Sequence, residues 1–222
     1  IKNREKFNAR VAGIIGFSSL CRHSAYALNS DYTINVNLIK QFLEKSKNAS
    51  ILIFGFTSII WEYFLTNELS KEIKSKLSEK AILLHGGGWK KLKDKAVSRT
   101  HFNDKVRTLT GISKILNYYG MVEQTGSIFI ECQKGFLHTN PLCGVISRSI
   151  ENLKVQPNGK EGIAQVISAL PSSYPGHSLL TDDIINIQYS DNCPCGRPGD
   201  AFKVLGRIKT SEIRGCSDTF NK

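Results

Sequence analysis

The sequence predicts an α/β protein, a parallel-sheet α/β unit followed by a small antiparallel β unit. Three observations carry that prediction. Two short apolar runs, residues 50–56 and 81–84, alternate with stretches whose apolar residues recur at helical spacing, the pattern of strands joined by crossover helices. After Gly120 the helical spacing gives way to short strand-like runs separated by turn residues. The 222 residues are 41% hydrophobic and 22% charged, a globular composition long enough to bury a core.

The elements follow in order. Asp31 is placed to cap a helix carrying Val36, Ile39, Phe42 and Leu43 on one face. Residues 50–56 read as a buried strand, followed by a helix through Trp61 and Leu65. A polar helix around Ile73 and Leu77 leads to the second strand, residues 81–84. The next helix starts near Asn103, with Val106, Leu109, Ile112 and Leu116 at helical spacing, and ends at Gly120. Strand-like runs then occupy residues 127–130, 163–170, 184–189 and 202–208, punctuated by Gln156-Pro-Asn-Gly159, Tyr174-Pro-Gly176 and Arg197-Pro-Gly199. The expected division is an α/β subdomain over residues 1–126 and a β-rich one over 127–222.

Charge narrows the function classes. The net charge is +11, yet it is uneven: residues 1–110 carry 19 Lys/Arg against 9 Asp/Glu, and residues 111–222 carry 11 against 10. The excess sits in Lys71-Glu-Ile-Lys-Ser-Lys-Leu-Ser-Glu-Lys80 and Lys90-Lys-Leu-Lys-Asp-Lys95, where acids interleave as on a solvated helix face. No basic run alternates with stacking aromatics, so a nucleic-acid partner is not expected. The longest nearly apolar run, residues 51–61, is far short of the about 20 residues a membrane span needs. Six cysteines are too sparse for a disulfide scaffold, and a reducing cytoplasm is the expected setting. Cys21 and Cys143 read as ordinary buried thiols.

Three segments carry chemistry. His85-Gly86-Gly87-Gly88-Trp89 follows a strand run, where glycines let backbone approach a flat ring or a phosphate. Tyr119-Gly120-Met121-Val122-Glu123-Gln124-Thr125 puts a carboxylate, an amide and a hydroxyl in one turn, and Glu123 is an oxygen ligand suited to a hard cation such as Mg²⁺. Asp182-Asp183 is followed 24 residues after Asp183 by Arg207; a carboxylate accepts from ribose hydroxyls, and arginine donates to hydroxyl or phosphate oxygens. Separately, Cys132, His138, Cys193 and Cys195 form a candidate Cys₃His set, the ligand type of closed structural zinc sites, with unligated thiols as the alternative.

In this order the three segments resemble the adenylate-forming superfamily, which activates carboxylates with ATP. More closely, Leu83-Leu-His-Gly-Gly-Gly-Trp-Lys90, Tyr119-Gly-Met-Val-Glu-Gln-Thr125, Pro175-Gly-His-Ser-Leu-Leu-Thr-Asp-Asp183, Cys193-Pro-Cys-Gly-Arg197 and Glu212-Ile-Arg-Gly-Cys216 resemble the acyl-protein synthetase family, the fatty-acid–protein ligases of bacterial bioluminescence systems and their relatives. The resemblance implies the fold of the large domain of adenylate-forming enzymes, ATP and Mg²⁺ as cofactors, a long-chain fatty acid as substrate, and a protein acyl acceptor or donor of the reductase or acyltransferase type. It implies that Glu123 serves Mg²⁺ and ATP, that His85, Gly86, Gly87, Gly88, Tyr119 and Gly120 line the adenine and acyl ends, that Asp183 and Arg207 hold the ribose, and that Cys216 is the acylated thiol. A related phenylacetate-ligase-like branch shows a similar Cys…His…Cys-x-Cys arrangement, which implies zinc at the four candidate ligands.

The chain also departs from the superfamily. Its Ser/Thr/Gly-rich phosphate loop is not recognisable, since Ala12-Gly-Ile-Ile-Gly-Phe-Ser-Ser19 is too apolar, and the C-terminal domain with a catalytic lysine is absent from the sequence. The expectation is a C-terminal portion of a longer enzyme. The alternatives are a phenylacetate-type acyl- or aryl-CoA ligase and an inactive binding or assembly fragment.

Overall fold

A computed structural model describes residues 9–208, which divide into two compact units meeting in sequence at Leu116 and Asn117. The first unit is α/β. It contains α1 (Ala9–Ser18), α2 (Val36–Lys45), β1 (Ile51–Phe56), α3 (Thr57–Ile59), α4 (Lys71–Lys80), β2 (Ala81–Gly86) and α5 (Arg99–Thr110). Strands β1 and β2 are paired in parallel from Ile51↔Ala81 to Phe56↔Gly86. Parallel neighbours need a crossover between them, and α4 supplies it, burying Ile73 and Leu77 while Lys74, Lys76 and Lys80, half-buried, bond the Thr108 carbonyl, Glu44 and the Ser46 and Lys47 carbonyls. Leu65, Leu83, Phe102 and Val106 complete this core. Between β1 and α4 the chain winds from α3 into a π-helical turn, Ile60–Phe64.

The second unit is antiparallel. Strand β3 (Lys114–Gly120), which enters this unit at Asn117, leads into β4 (Ile128–Glu131), β5 (Leu137–His138), β6 (Cys143–Arg148), β7 (Glu161–Ser168), β8 (Ser178–Ser190) and β9 (Asp200–Arg207), in the order β3-β4-β5-β9-β8-β7-β6. Phe129, Val145, Val166, Ile185 and Phe202 form its core.

The mixed α/β class is as expected, with four local differences. Asn35, not Asp31, caps α2: its side chain accepts from the Leu38 N–H, while Asp31 closes a turn on Thr33. Helix α5 is capped by Ser98 and stops at Gly111, which is left-handed, so Ile112 lies beyond it and Leu116 belongs to a strand. Consequently Tyr119-Gly120 ends a strand rather than a helix. Gly120 is needed there because a Cβ would come within 2.6 Å of the Ser127 carbonyl oxygen. Cys21 is exposed, whereas Cys143 is buried as expected.

Among the described residues, no helix is long and apolar enough to cross a membrane.

Candidate functional site

In the first unit the glycine segment closes β2. His85 pairs in register with Gly55 and Gly86 with Phe56, and Gly87 and Gly88 turn the chain with positive φ of 77° and 60°. The His85 ring is buried, 4.5 Å from Phe102 between centroids, and its Nδ1 lies 2.9 Å from Thr57 Oγ1. Thr57 Oγ1 has one hydrogen, and it donates that hydrogen to the Gly86 carbonyl at 3.1 Å. The two contacts are satisfied together when Nδ1 carries the imidazole proton and donates to Thr57. Desolvation, with a smaller contribution from the charge of Arg99, pushes the His85 pKa down to about 4. The ring is a neutral strut that ties the glycine turn to the end of β1.

A cavity of about 340 Å³ lies near the π-helical turn, lined by Trp61, Glu62, Leu65, Thr66, Lys95 and Lys105. Lys105 Nζ sits 4.1 Å from the Trp61 ring centroid, and Lys95 pairs with Glu62 at 3.7 Å. None of these residues stands out in the sequence as functional. The signal there is weak, an aromatic-rich run directly after a buried strand.

In the second unit, three of the expected residues converge. The Tyr119 hydroxyl donates to Asp183 Oδ2 at 2.7 Å. Asp183 lies directly opposite Arg207 in the β8–β9 ladder, and Arg207 Nε stands 3.6 Å from Asp183 Oδ1. Arg207 Nη2 bonds Asp182 Oδ2 at 3.0 Å, a contact that the sequence does not foretell. Burial, then the Asp183 charge, pushes the Tyr119 pKa upward, so this hydroxyl stays a donor. Each carboxylate oxygen has two lone pairs, which leaves Asp183 able to accept from a vicinal diol while Tyr119 and Arg207 hold it in place.

Glu123 is exposed in the turn after β3. The same turn does not present its amide, contrary to expectation. Gln124 is buried, and its Nε2 donates to the carbonyls of Val166 and Gly176 at 3.1 and 2.7 Å, while Ser127 Oγ donates to its Oε1. Tyr174 Oη accepts from the Thr125 N–H at 2.7 Å and bonds the Thr125 hydroxyl at 3.1 Å. Gln124 and Tyr174 thus anchor the turn that carries Glu123.

The ligand atoms of Cys132, His138, Cys193 and Cys195 all lie within 4.8 Å of one another. His138 Nε2 is 3.3 Å from Cys195 Sγ, and His138 Nδ1 is 3.4 Å from the Pro198 carbonyl. Tetrahedral zinc, with about 2.3 Å to sulfur and 2.0–2.1 Å to nitrogen, requires a sulfur–nitrogen edge of about 3.6 Å, so the donor set fits the ion. Desolvation pushes the Cys193 thiol up. Desolvation also opposes ionisation of Cys195, but the Arg197 N–H and the neighbouring thiols of Cys193 and Cys132 hold its pKa below the usual thiol range. The expected thiol Cys216 lies outside the described residues.

Comparison with known proteins adds a lineage. A long-chain-fatty-acid–luciferin-component ligase of Vibrio harveyi is 29% identical over 141 residues, covering 61% of this chain and 35% of that protein. Its counterpart in Aliivibrio fischeri is 25% identical over 182 residues, covering 79% of this chain and 46% of that protein. The chain thus spans about a third to a half of the length of these curated relatives. A 2-hydroxyisobutyryl-CoA ligase in complex with 2-HIB-AMP and CoA shares the fold with a TM-score of 0.57 at 17% identity, over 79% of this chain and 39% of that one. The luciferase-like enzyme of the nonluminescent Zophobas morio mealworm does so with a TM-score of 0.52 at 17% identity, over 79% and 42%. The family model described as acyl-protein synthetase, LuxE, matches residues 2–222, and the chain belongs to that family.

Proposed function

We propose that this chain is the ribose-binding portion of an ATP-dependent acid–thiol ligase that activates a long-chain fatty acid and passes the acyl group to a protein cysteine. The observation that carries the reading is the Tyr119–Asp183–Arg207 constellation, a carboxylate oriented by one neutral and one cationic donor. Family membership and relatives named as fatty-acid ligases support the substrate class.

In the first step a carboxylate oxygen attacks the α-phosphorus of ATP. The bond to the β,γ-phosphates breaks, giving acyl-adenylate and pyrophosphate. In the second, the Cys216 thiolate attacks the acyl carbonyl carbon; AMP leaves and a thioester forms. The acyl group then passes to a protein of the reductase or acyltransferase type. Asp183 binds the ribose hydroxyls and Arg207 fixes Asp183, while the family resemblance assigns Tyr119 and Gly120, and in the first unit the Gly86–Gly88 turn propped by His85, to the adenine and acyl ends. Glu123 would hold Mg²⁺, whose charge offsets that developing on the phosphates. Cys132, His138, Cys193 and Cys195 would hold a structural Zn²⁺. A cytoplasmic setting keeps such thiols reduced.

The test uses the full-length gene product with labelled fatty acid and ATP. Hydroxylamine-labile label on the protein that disappears in Cys216→Ser supports the reading. Label found solely on added coenzyme A, or no acid-dependent pyrophosphate exchange with any medium- or long-chain acid, rejects it.

A further inference from the structure

The β8–β9 hairpin has an uncommon construction. At its closed end Ser190 faces Asp200 and Tyr189 faces Ala201; at its open end Ile184 faces Gly206 and Asp183 faces Arg207. Between them the ladder shifts twice. Gln188 is an extra residue on β8, because Ile187 already faces Phe202, and Leu205 is an extra residue on β9, because Ile185 faces Val204 while Ile184 faces Gly206. The two bulges offset each other, so the register in which Asp183 meets Arg207 is that of the closed end. A slip of one residue there would turn Asp183 to the opposite face and separate it from Tyr119. At about 3.3 Å per residue, the seven residues from Ser190 to Asp183 put these ends about 23 Å apart.

The closed end is where the thiols are. The connecting loop, residues 191–199, carries Cys193 and Cys195; Cys132 follows β4, and His138 is in β5, paired with Ala201 of β9. Hydrogen bonds already brace this loop: the Gly199 N–H donates to Asp191 Oδ1 at 2.6 Å, and the Asp200 N–H to Thr139 Oγ1 at 2.8 Å. Yet β5 has two residues, and it is the strand that pairs with β9 on its other edge. That ladder contributes only two residue pairs, Leu137↔Phe202 and His138↔Ala201, to holding β9 along this edge.

We infer that a zinc ion at Cys132, His138, Cys193 and Cys195 is a register clamp, pinning the closed end of the β8–β9 hairpin and thereby keeping Asp183 opposite Arg207 at the open end. The inference rests on the reading of the four residues as a zinc site and adds a positioning role to it. With Nε2 on the metal, His138 Nδ1–H faces the Pro198 carbonyl, so the loop orients the ligand that in turn holds the loop.

The test takes the intact chain, measures its zinc, strips it with a chelator and restores zinc alone. Hydrogen exchange is followed in peptides covering residues 183–187 and 203–207, and AMP binding is measured alongside. Expected are one zinc per chain, exchange at the open end faster by about tenfold or more on stripping, and recovery on zinc addition. Full zinc occupancy with open-end exchange unchanged by stripping overturns the clamp and leaves the zinc site standing. Less than about 0.2 zinc per chain after reconstitution removes both.

A variant separates register from metal. Gly206 has a φ of 151° in the β9 bulge, a conformation side chains rarely adopt, and no zinc ligand is near it in sequence. Gly206→Val should keep its zinc and lose AMP affinity about tenfold or more, a loss of the size seen when a supporting residue is removed. Wild-type affinity in that variant overturns the link between bulge register and the site. Zinc-dependent protection in a protein that binds no AMP upholds the clamp and rejects the nucleotide reading.

Discussion

Lowering the pH should destabilise the first unit through one side chain, His85. Its pKa is about 4 in the folded protein against an ordinary value of 6.5, so the unfolded chain binds a proton that the folded chain refuses. The contribution is complete above about pH 6.5 and is lost as pH falls toward 4, below which it no longer changes. A tenfold difference in proton affinity is worth about 1.4 kcal/mol, so the whole effect is about 3 kcal/mol, of which about 2 kcal/mol is lost between pH 7 and pH 5. His85→Asn isolates it, because the amide, able to donate or accept, can still hydrogen-bond Thr57 without titrating. Trp61 and Trp89 are the two tryptophans of the chain and pack in the same aromatic cluster, with Trp61 stacked 6.1 Å from Phe102. Urea unfolding followed by tryptophan fluorescence therefore reports this unit directly. The asparagine variant should be weaker at pH 7 for lack of ring packing on Phe102. The stability difference between wild type and variant should then shrink by about 2 kcal/mol at pH 5. A difference that stays constant from pH 7 to pH 5, or an NMR titration of His85 with a midpoint above pH 6, would show that burial does not hold the ring neutral.

Two further substitutions probe the second unit. Gln124→Leu strands the Val166 and Gly176 carbonyls and the Ser127 hydroxyl, and should cost about 2–4 kcal/mol in urea unfolding at roughly 1 kcal/mol or more per orphaned group. A loss under about 1 kcal/mol would mean that water replaces the amide. Tyr119→Phe keeps the ring against Phe129 and Phe202 but removes the donor to Asp183, so calorimetry should find AMP affinity down by about fivefold to thirtyfold, with the second unit still folded.

Much of the chemistry is legible in the sequence because it is local. Strands β1 and β2 and the polar helix α4 follow from apolar runs and helical spacing, which neighbouring residues decide among themselves, whereas the Cys₃His set is suggested by ligand type alone and is assembled by the fold. The pairing of Asp183 with Arg207 is expected from family resemblance, not from spacing, since a separation of 24 positions carries no register information. The end of α5 shows the limit of periodicity. Val106, Leu109, Ile112 and Leu116 keep helical spacing on paper, but the left-handed Gly111 stops the helix and sends the chain toward a strand.

Residue order alone dictates a two-part α/β chain of the acyl-protein synthetase family, with its glycine turn, its carboxylates and its thiols in place along the chain. Long-range packing is what makes Gln124 an anchor and not a ligand, makes His85 a neutral strut, and lets two opposed bulges bring Asp183 back into register with Arg207. The difference is one of range. Helical and strand periodicities are written over a few residues, whereas burial and ladder register are set by partners far along the chain, at separations where spacing no longer constrains geometry.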